Sequence, residues 1–310
     1  MTRRLYRQAA KRNPRVASQV KCTIATDKEG FYRAIGKADV LVGWWFPKYE
    51  LADIAPNLKW IHVIGAGIEH LLPLDWLPKS VRLVNNTGVH AAKAGEYVMM
   101  ALLMLQNAIP SLVTQQRQKK WQEIYSTTIG GKTLLIIGVG NMGGAAAKKA
   151  KELGLHVIGV RRTPRARRNV DEMYAVKDLR KLIPRADFVL ITSPLTTETR
   201  GLMGKRELDL MRPEASLINF GRAEIVDYNV LRKKLIRGEI KGAVLDVFER
   251  EPLPKTSPLW STPNLIITPH VGSDDAEAYI PFTLDLALEN AGRYLAGRPL
   301  ENRVIPSREY

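Results

Sequence analysis

Arg222, Glu251 and His270 are the residues whose types could do chemistry together. Each stands in a short segment that closes an apolar run: Ile218-Asn219-Phe220-Gly221-Arg222-Ala223, Phe248-Glu249-Arg250-Glu251-Pro252 and Thr268-Pro269-His270-Val271-Gly272. An arginine can hold a carboxylate and polarise a ketone without losing its own charge. A histidine can hand over a proton near neutrality, and an adjacent carboxylate orients and stabilises its imidazolium. Charge developing on a carbonyl oxygen would then meet both a cation and a proton donor. Taken one at a time, the three read rather as a surface arginine, a loop carboxylate and a capping histidine, so the chemistry rests on their acting as a set. His62 and His156 fall inside apolar runs and read as packing residues, while His70 and His90 stay open. No spacing among the histidines, the carboxylates and the single cysteine, Cys22, makes a metal site.

Upstream lies the segment KTLLIIGVGNMGG at 132–144, an apolar strand running into Gly138-x-Gly140-x-x-Gly143 and then an Ala- and Lys-rich helix at 145–153. In that setting the glycines make a dinucleotide-binding turn. Gly138 permits the tight bend, Gly140 lets the backbone approach a pyrophosphate, Gly143 lets helix and strand pack closely, and the amides of Asn141 and Met142 open the helix toward the anion. In an NAD site an acidic residue at the end of the next strand bonds the ribose hydroxyls. Here that strand ends in Gly159-Val160-Arg161-Arg162-Thr163. A guanidinium removes repulsion toward a 2′-phosphate and offers it a bidentate donor, so NADP(H) is expected over NAD(H), with Arg161 and Arg162 as ligands. Arg165, Arg167 and Arg168 continue the basic run and read equally as a solvated loop.

Positioning these residues takes a sheet whose strands end where they stand. Apolar runs at 133–137, 156–160, 188–191, 216–219, 243–247 and 265–268, separated by amphipathic stretches, predict a six-stranded doubly wound parallel sheet. Runs at 20–26, 38–42, 58–63 and 81–85 predict a smaller parallel unit before it. The stretch 91–119, rich in Ala, Met, Leu and Gln and broken only by Pro110, reads as a long connecting helix or a kinked pair. The amphipathic segment 274–295 is expected to return to the first unit.

Lys and Arg number 47 against 31 Asp and Glu, a formal net charge of +16, so anionic partners must be weighed. No helix-turn-helix, zinc finger or aromatic RNA-binding strand is present, and nucleic acid would be held through its phosphates alone. The N-terminus, with Arg3, Arg4, Arg7, Lys11, Arg12 and Arg15, lacks the apolar core of a secretory signal and is expected as a solvated or frayed end. The longest apolar stretch, 98–105, is too short for a bilayer span. With one cysteine, the expectation is a soluble protein of the reducing cytoplasm.

These segments, in this order, resemble the D-isomer-specific 2-hydroxyacid dehydrogenase family over nearly the whole chain; Val63-Ile64-Gly65-Ala66-Gly67-Ile68-Glu69-His70 and Val84-Asn85-Asn86-Thr87-Gly88 are similar to family segments too. The resemblance implies an α/β fold of two doubly wound parallel-sheet domains with a cleft between them. One is a flavodoxin-like substrate domain, 1–88 with 275–310, and the other a Rossmann dinucleotide-binding domain, 89–274. It implies reduction of a small 2-keto acid of the glyoxylate or hydroxypyruvate type to a D-2-hydroxy acid by hydride transfer. Arg222 would bind the substrate carboxylate and carbonyl, His270 donate the proton and Glu251 assist it. Asp246 is implied as ligand of the nicotinamide carboxamide, the amides of Ala66 and Gly67 as a carboxylate clamp, and Trp45, in Trp44-Trp45-Phe46-Pro47, as an aromatic over the substrate. Thr163, Pro194, Phe220 and Gly272 complete the implied cofactor contacts. A homodimer is implied, Trp121 either crossing its interface or packing locally, with no specific nucleic-acid partner and no membrane partner.

The chain ends soon after its last helix, which favours the short glyoxylate/hydroxypyruvate reductase branch. Three departures stand out: Glu69 replaces a usual Asp, Gly95 replaces a usual alanine and should loosen its helix, and the run Phe220-Gly221-Arg222-Ala223-Glu224 should alter the backbone near the nicotinamide slightly. A non-catalytic dinucleotide-sensing or corepressor-like binding protein on the same fold is the alternative; an intact Arg222, Glu251 and His270 set argues against it.

Overall fold

Short apolar runs at Val40–Gly43 (β1), Trp60–Val63 (β2) and Arg82–Val84 (β3) pair in parallel, in the order β1-β2-β3. They belong to one of two units in the computed structural model, which describes all 310 residues: Met1–Val89 with Asp275–Tyr310, and His90–Asp274. The core of the first unit gathers Phe46, Leu51, Ile61, Val63, Ile68, Leu71 and Leu83 around the sheet. Every residue of β2 is buried, His62 included. Its Nε2 lies 3.2 Å from Asn86 Oδ1, and Asn86 Nδ2 donates to Thr283 Oγ1 at 2.7 Å on the helix Tyr279–Leu295. Burial lowers the His62 pKa to about 4.

Residues 20–26 form no strand, which corrects the expectation. Val20, at the start of this segment, joins Leu5, Tyr6 and Val16 against Ala9, Leu284 and Leu288 instead. The basic side chains of the N-terminus are exposed, as expected of a solvated end, but the segment is not frayed. Arg3–Arg12 is a helix capped by the Thr2 hydroxyl, which accepts from the Leu5 amide at 3.3 Å. Its Ala9 is fully buried and Arg12 Nε meets Asp285 Oδ2 at 2.9 Å. Arginines in the first turn oppose the helix dipole, and the buried apolar stripe outweighs them.

In the second unit β4 (Thr133–Ile137), β5 (His156–Val160), β6 (Glu172–Tyr174), β7 (Phe188–Ile191), β8 (Ser216–Asn219), β9 (Gly242–Leu245) and β10 (Leu265–Ile267) make one parallel sheet, ordered β10-β9-β8-β7-β4-β5-β6. Successive side chains of β4 point to opposite faces: Leu134 and Ile136 enter one core, Leu135 and Ile137 the other. The strand order reverses between β4 and β7, the place where open α/β sheets bind ligands. The seventh strand, β6, was not expected, because Glu-Met-Tyr is short, half-buried and polar at its start. His156 is not a packing residue; its side chain is 42% exposed, with Nε2 2.7 Å from Glu172 Oε1.

The stretch after residue 90 is the kinked pair, Ala91–Gln106 and Ile109–Arg117, bent by 65°. Ala108 takes a left-handed φ of 53° at the break. No single helix is long and apolar enough to cross a membrane. Gly95 sits where this helix meets Asn141–Glu152: a Cβ there would lie 3.2 Å from Lys149 Cγ and 3.4 Å from the Ala145 carbonyl oxygen. The glycine expected to loosen the helix lets two helices approach.

Candidate active site

The turn after β4 is built for a group that must come close to the backbone. Gly138 has φ +101°, and a Cβ on it would come within 2.4 Å of Ser193 Oγ, just beyond β7. Thr192 Oγ1 donates to the Gly138 carbonyl at 2.7 Å, and Ser193 Oγ to that of Ile137 at 3.0 Å, tying the two strand ends together. A Cβ on Gly143 would meet the Gly138 carbonyl oxygen at 2.4 Å, so the helix is packed as tightly as glycine allows. A Cβ on Gly140, by contrast, meets nothing within 4 Å. The Asn141–Glu152 helix starts there with no side-chain cap, leaving the amides of Asn141, Met142 and Gly143 for an anion. These features fit a dinucleotide pyrophosphate. Pro194, partly exposed, follows Ser193, its carbonyl accepting from Thr199 Oγ1 at 2.7 Å.

Beyond β5, Arg161 is half-buried while Arg162 and Thr163 are exposed. Arg162 Nε donates to Glu198 Oε2 at 2.9 Å, which fixes the guanidinium and turns part of its donor set to that carboxylate. Arg167, left open by the sequence, is the arginine that reaches back: its guanidinium lies 3.7 Å from where a Gly144 Cβ would stand, over the first turn of the Asn141–Glu152 helix.

Arg222 lies immediately after a sharp turn at the end of β8. Asn219 Oδ1 accepts from the Gly221 amide at 3.1 Å and Asn219 Nδ2 donates to the Arg222 carbonyl at 2.9 Å. Gly221 is required, since a Cβ on it would lie 2.7 Å from the Ser193 carbonyl oxygen. His270 Nδ1 lies 2.7 Å from Glu251 Oε2, and Glu251 Oε1 accepts from the Phe248 amide at 2.8 Å. The carboxylate therefore places the proton of a neutral ring on Nδ1 and orients Nε2 away from itself. His270 holds a left-handed φ of +54°, a conformation of order 1–3 kcal/mol above the ordinary ones. Asp246, 1% exposed, keeps it there: Oδ1 accepts from Thr268 Oγ1 at 2.5 Å and the Val271 amide at 3.2 Å, and Oδ2 from the Gly272 amide at 3.0 Å. Burial raises the Asp246 pKa, and those donors oppose the rise.

Phe220 and Gly272 serve the core more than a ligand. The Phe220 ring is 3% exposed and stacks on Tyr97, with Gly272 packed against both. His90, left open by the sequence, is 8% exposed with Nδ1 3.3 Å from the Ser273 carbonyl; burial lowers its pKa, and the charges of His270 and Arg222 push it the same way. In the first unit, Ala66 and Gly67 follow β2 in a half-buried loop held by Asn85 Nδ2, which donates to the Ala66 carbonyl at 2.9 Å. Trp45 is 73% exposed. Its neighbour Trp44 is the fixed one, stacked on His70 at 4.4 Å and lying where a Gly65 Cβ would be, 2.2 Å from its ring.

Residues 99–272 match the family profile for the D-isomer specific 2-hydroxyacid dehydrogenase NAD binding domain. Glyoxylate/hydroxypyruvate reductase B of Pectobacterium carotovorum subsp. carotovorum is 32% identical over 259 residues, 81% of this chain and 80% of that relative. D-3-phosphoglycerate dehydrogenase of Methanocaldococcus jannaschii is 32% identical over 293 residues, 92% of this chain, and this chain spans 55% of its length. The solved NADPH-dependent glyoxylate/hydroxypyruvate reductase from Sinorhizobium meliloti, in complex with NADP and sulfate, superposes with a TM-score of 0.83 at 28% identity, covering 97% of this chain and 96% of that one.

Proposed function

Because the chain belongs to the D-isomer-specific 2-hydroxyacid dehydrogenase family of oxidoreductases, we propose that it is an NADPH-preferring reductase of small 2-keto acids, of the glyoxylate or hydroxypyruvate type, giving D-2-hydroxy acids. The observation that carries this reading is the 2.7 Å pair of His270 Nδ1 and Glu251 Oε2. A protein that only sensed a dinucleotide would have no chemical use for it.

In this reading Glu251 holds the imidazolium through Nδ1, and Nε2–H donates its proton to the carbonyl oxygen as that oxygen becomes a hydroxyl. Arg222, permanently charged, pairs with the substrate carboxylate and faces the growing charge on the oxygen. NADPH, when bound, supplies the hydride that the carbonyl carbon receives. Gly138, Gly140, Asn141, Met142 and Gly143 would hold its pyrophosphate, Arg161, Arg162 and Thr163 its 2′-phosphate, and Pro194 with the main chain of Phe220 and Gly272 its nicotinamide end. Asp246 has one acceptor position left on Oδ2 for a carboxamide N–H. Trp45 and the amides of Ala66 and Gly67 are the first unit's proposed contribution to substrate binding.

The reading also takes the protein as a cytoplasmic homodimer. Trp121, 95% exposed, is not packed locally, which supports the interface alternative for it.

Oxidation of NADPH and NADH, followed with a panel of 2-keto acids, tests the proposal. NADPH turnover with glyoxylate or hydroxypyruvate is expected, and His270→Ala should abolish it while leaving NADPH binding intact. Folded protein inert toward every acid in the panel would defeat the reading, and undiminished turnover in His270→Ala would remove the histidine from its role.

A further inference from the structure

Just past β9, three successive residues each make a contact to one of the segments that bear His270, Arg222 and Glu251. Asp246 receives the Val271 and Gly272 amides of the His270 turn. The Val247 carbonyl accepts from the Tyr228 hydroxyl at 2.8 Å; that hydroxyl accepts from Asn219 Nδ2 at 2.9 Å, the same amide group that donates to the Arg222 carbonyl. The Phe248 amide donates to Glu251 Oε1, whose other oxygen faces His270.

One of these links passes through a tyrosine hydroxyl, and a second tyrosine reaches Asp246 through Thr268. Tyr228, at the start of the helix Tyr228–Arg237, is one. Tyr97, on the helix Ala91–Gln106, is the other: its hydroxyl lies 2.6 Å from Thr268 Oγ1. Because Thr268 spends its single proton on Asp246, it accepts from Tyr97. Phenylalanine would fill the same volumes, so packing alone does not call for either hydroxyl. A polar group taken out of water is retained at no loss only where it is bonded, and both are bonded into the turns in question.

We infer that Tyr228 and Tyr97 are positioning residues of the reaction: Tyr228 fixes the turn that carries Arg222, and Tyr97, through Thr268 and Asp246, fixes the left-handed turn that carries His270. The inference rests on the proposed reduction for its kinetic form, and on geometry alone for its structural form. Arg222 holds the substrate carboxylate as well as facing the carbonyl oxygen, whereas His270 acts on the proton, so loosening the two turns has separable consequences for KM.

Tyr228→Phe and Tyr97→Phe keep the rings and are expected to fold. With NADPH and glyoxylate, Tyr228→Phe should raise KM for the keto acid about tenfold, with a smaller fall in kcat, and Tyr97→Phe should lower kcat about tenfold with KM within about twofold. Amide hydrogen exchange supplies the second readout and needs no turnover: Gly221 should lose protection only in Tyr228→Phe, and Val271 and Gly272 only in Tyr97→Phe. Uniform changes in both variants, or unchanged exchange in both turns, would overturn the inference. A wild-type protein inert toward every 2-keto acid would remove the reaction assigned above, and the exchange pattern would still decide the positioning.

Discussion

Arg161 and Arg162 stand side by side in sequence, yet the structure treats them differently. Arg162 is exposed and held through Nε by Glu198 at 2.9 Å, whereas Arg161 is half-buried. A 2′-phosphate bound by both would lose both charge-assisted bonds on Arg161→Asp with Arg162→Ser, and the new carboxylate would favour ribose hydroxyls. Cofactor preference, read as the ratio of kcat/KM for NADPH and NADH, should fall at least about tenfold, the effect of losing one such bond. A ratio that does not move would transfer the 2′-phosphate to Arg167, whose guanidinium already lies over the first turn of the Asn141–Glu152 helix. Sequence showed that a basic run sits where a carboxylate is usual. Which arginine folds back was decided by the path of residues 163–170, and no local pattern encodes that path.

At the scale of elements, the β4-turn-helix unit separates two reasons for glycine that look identical in sequence. Gly143 is needed by the fold, since its Cβ would strike the Gly138 carbonyl oxygen at 2.4 Å and Thr192 Oγ1 at 2.8 Å. Gly140 is not called for by packing, because its Cβ would point into open space, and in the proposed reading it serves the ligand. Gly140→Ala should therefore melt within about 0.5 kcal/mol of wild type, as neutral substitutions do, and lose NADPH binding in a fluorescence titration. Gly143→Ala should lose both stability and binding. Equal melting losses in the two variants would contradict this division. The strands of this sheet were legible because they are buried on both faces and read as unbroken apolar runs. β6 was not, since an edge strand of three residues beginning with Glu172 carries no such run. Residues 20–26 show the opposite error: their apolar pattern is genuine, but Val20 spends it on the helices at the two ends of the chain. The link made by the Tyr97 hydroxyl has no local signal in the sequence, because its partner Thr268 lies 171 positions away.

For the molecule as a whole, the formal charge of +16 and the buried His62 both act against the fold as pH falls, and salt distinguishes them. Self-repulsion among surface charges is screened by salt; protonation of a buried ring is not. His62 Nε2 faces Asn86 Oδ1, whose amide group is turned to Thr283, so Nε2 carries the proton and Nδ1, with no partner, would receive the second one. The folded pKa of about 4 lies below the ordinary value of 6.5. The unfolded chain thus takes up a proton that the folded chain refuses. Stability is unaffected above pH 6.5 and falls as pH drops from 6.5 toward 4, by roughly 3 kcal/mol in all. The loss belongs to the first unit, which also holds the buried tryptophans Trp60 and Trp76, while Trp121 and Trp260 of the second are exposed. A second decline should follow at lower pH in the second unit. There Glu172, lowered to about 2 by Arg185, Tyr174 and His156, contributes stability that is present above its ordinary 4.5 and disappears as pH falls through its folded value. Denaturant titrations followed by tryptophan emission should therefore show the midpoint dropping between pH 6.5 and 4 at high salt. In His62→Gln, which can still donate to Asn86, that drop should vanish while the decline below pH 4.5, followed by circular dichroism, persists. An acid decline that is the same in His62→Gln as in wild type would assign it to surface charge instead.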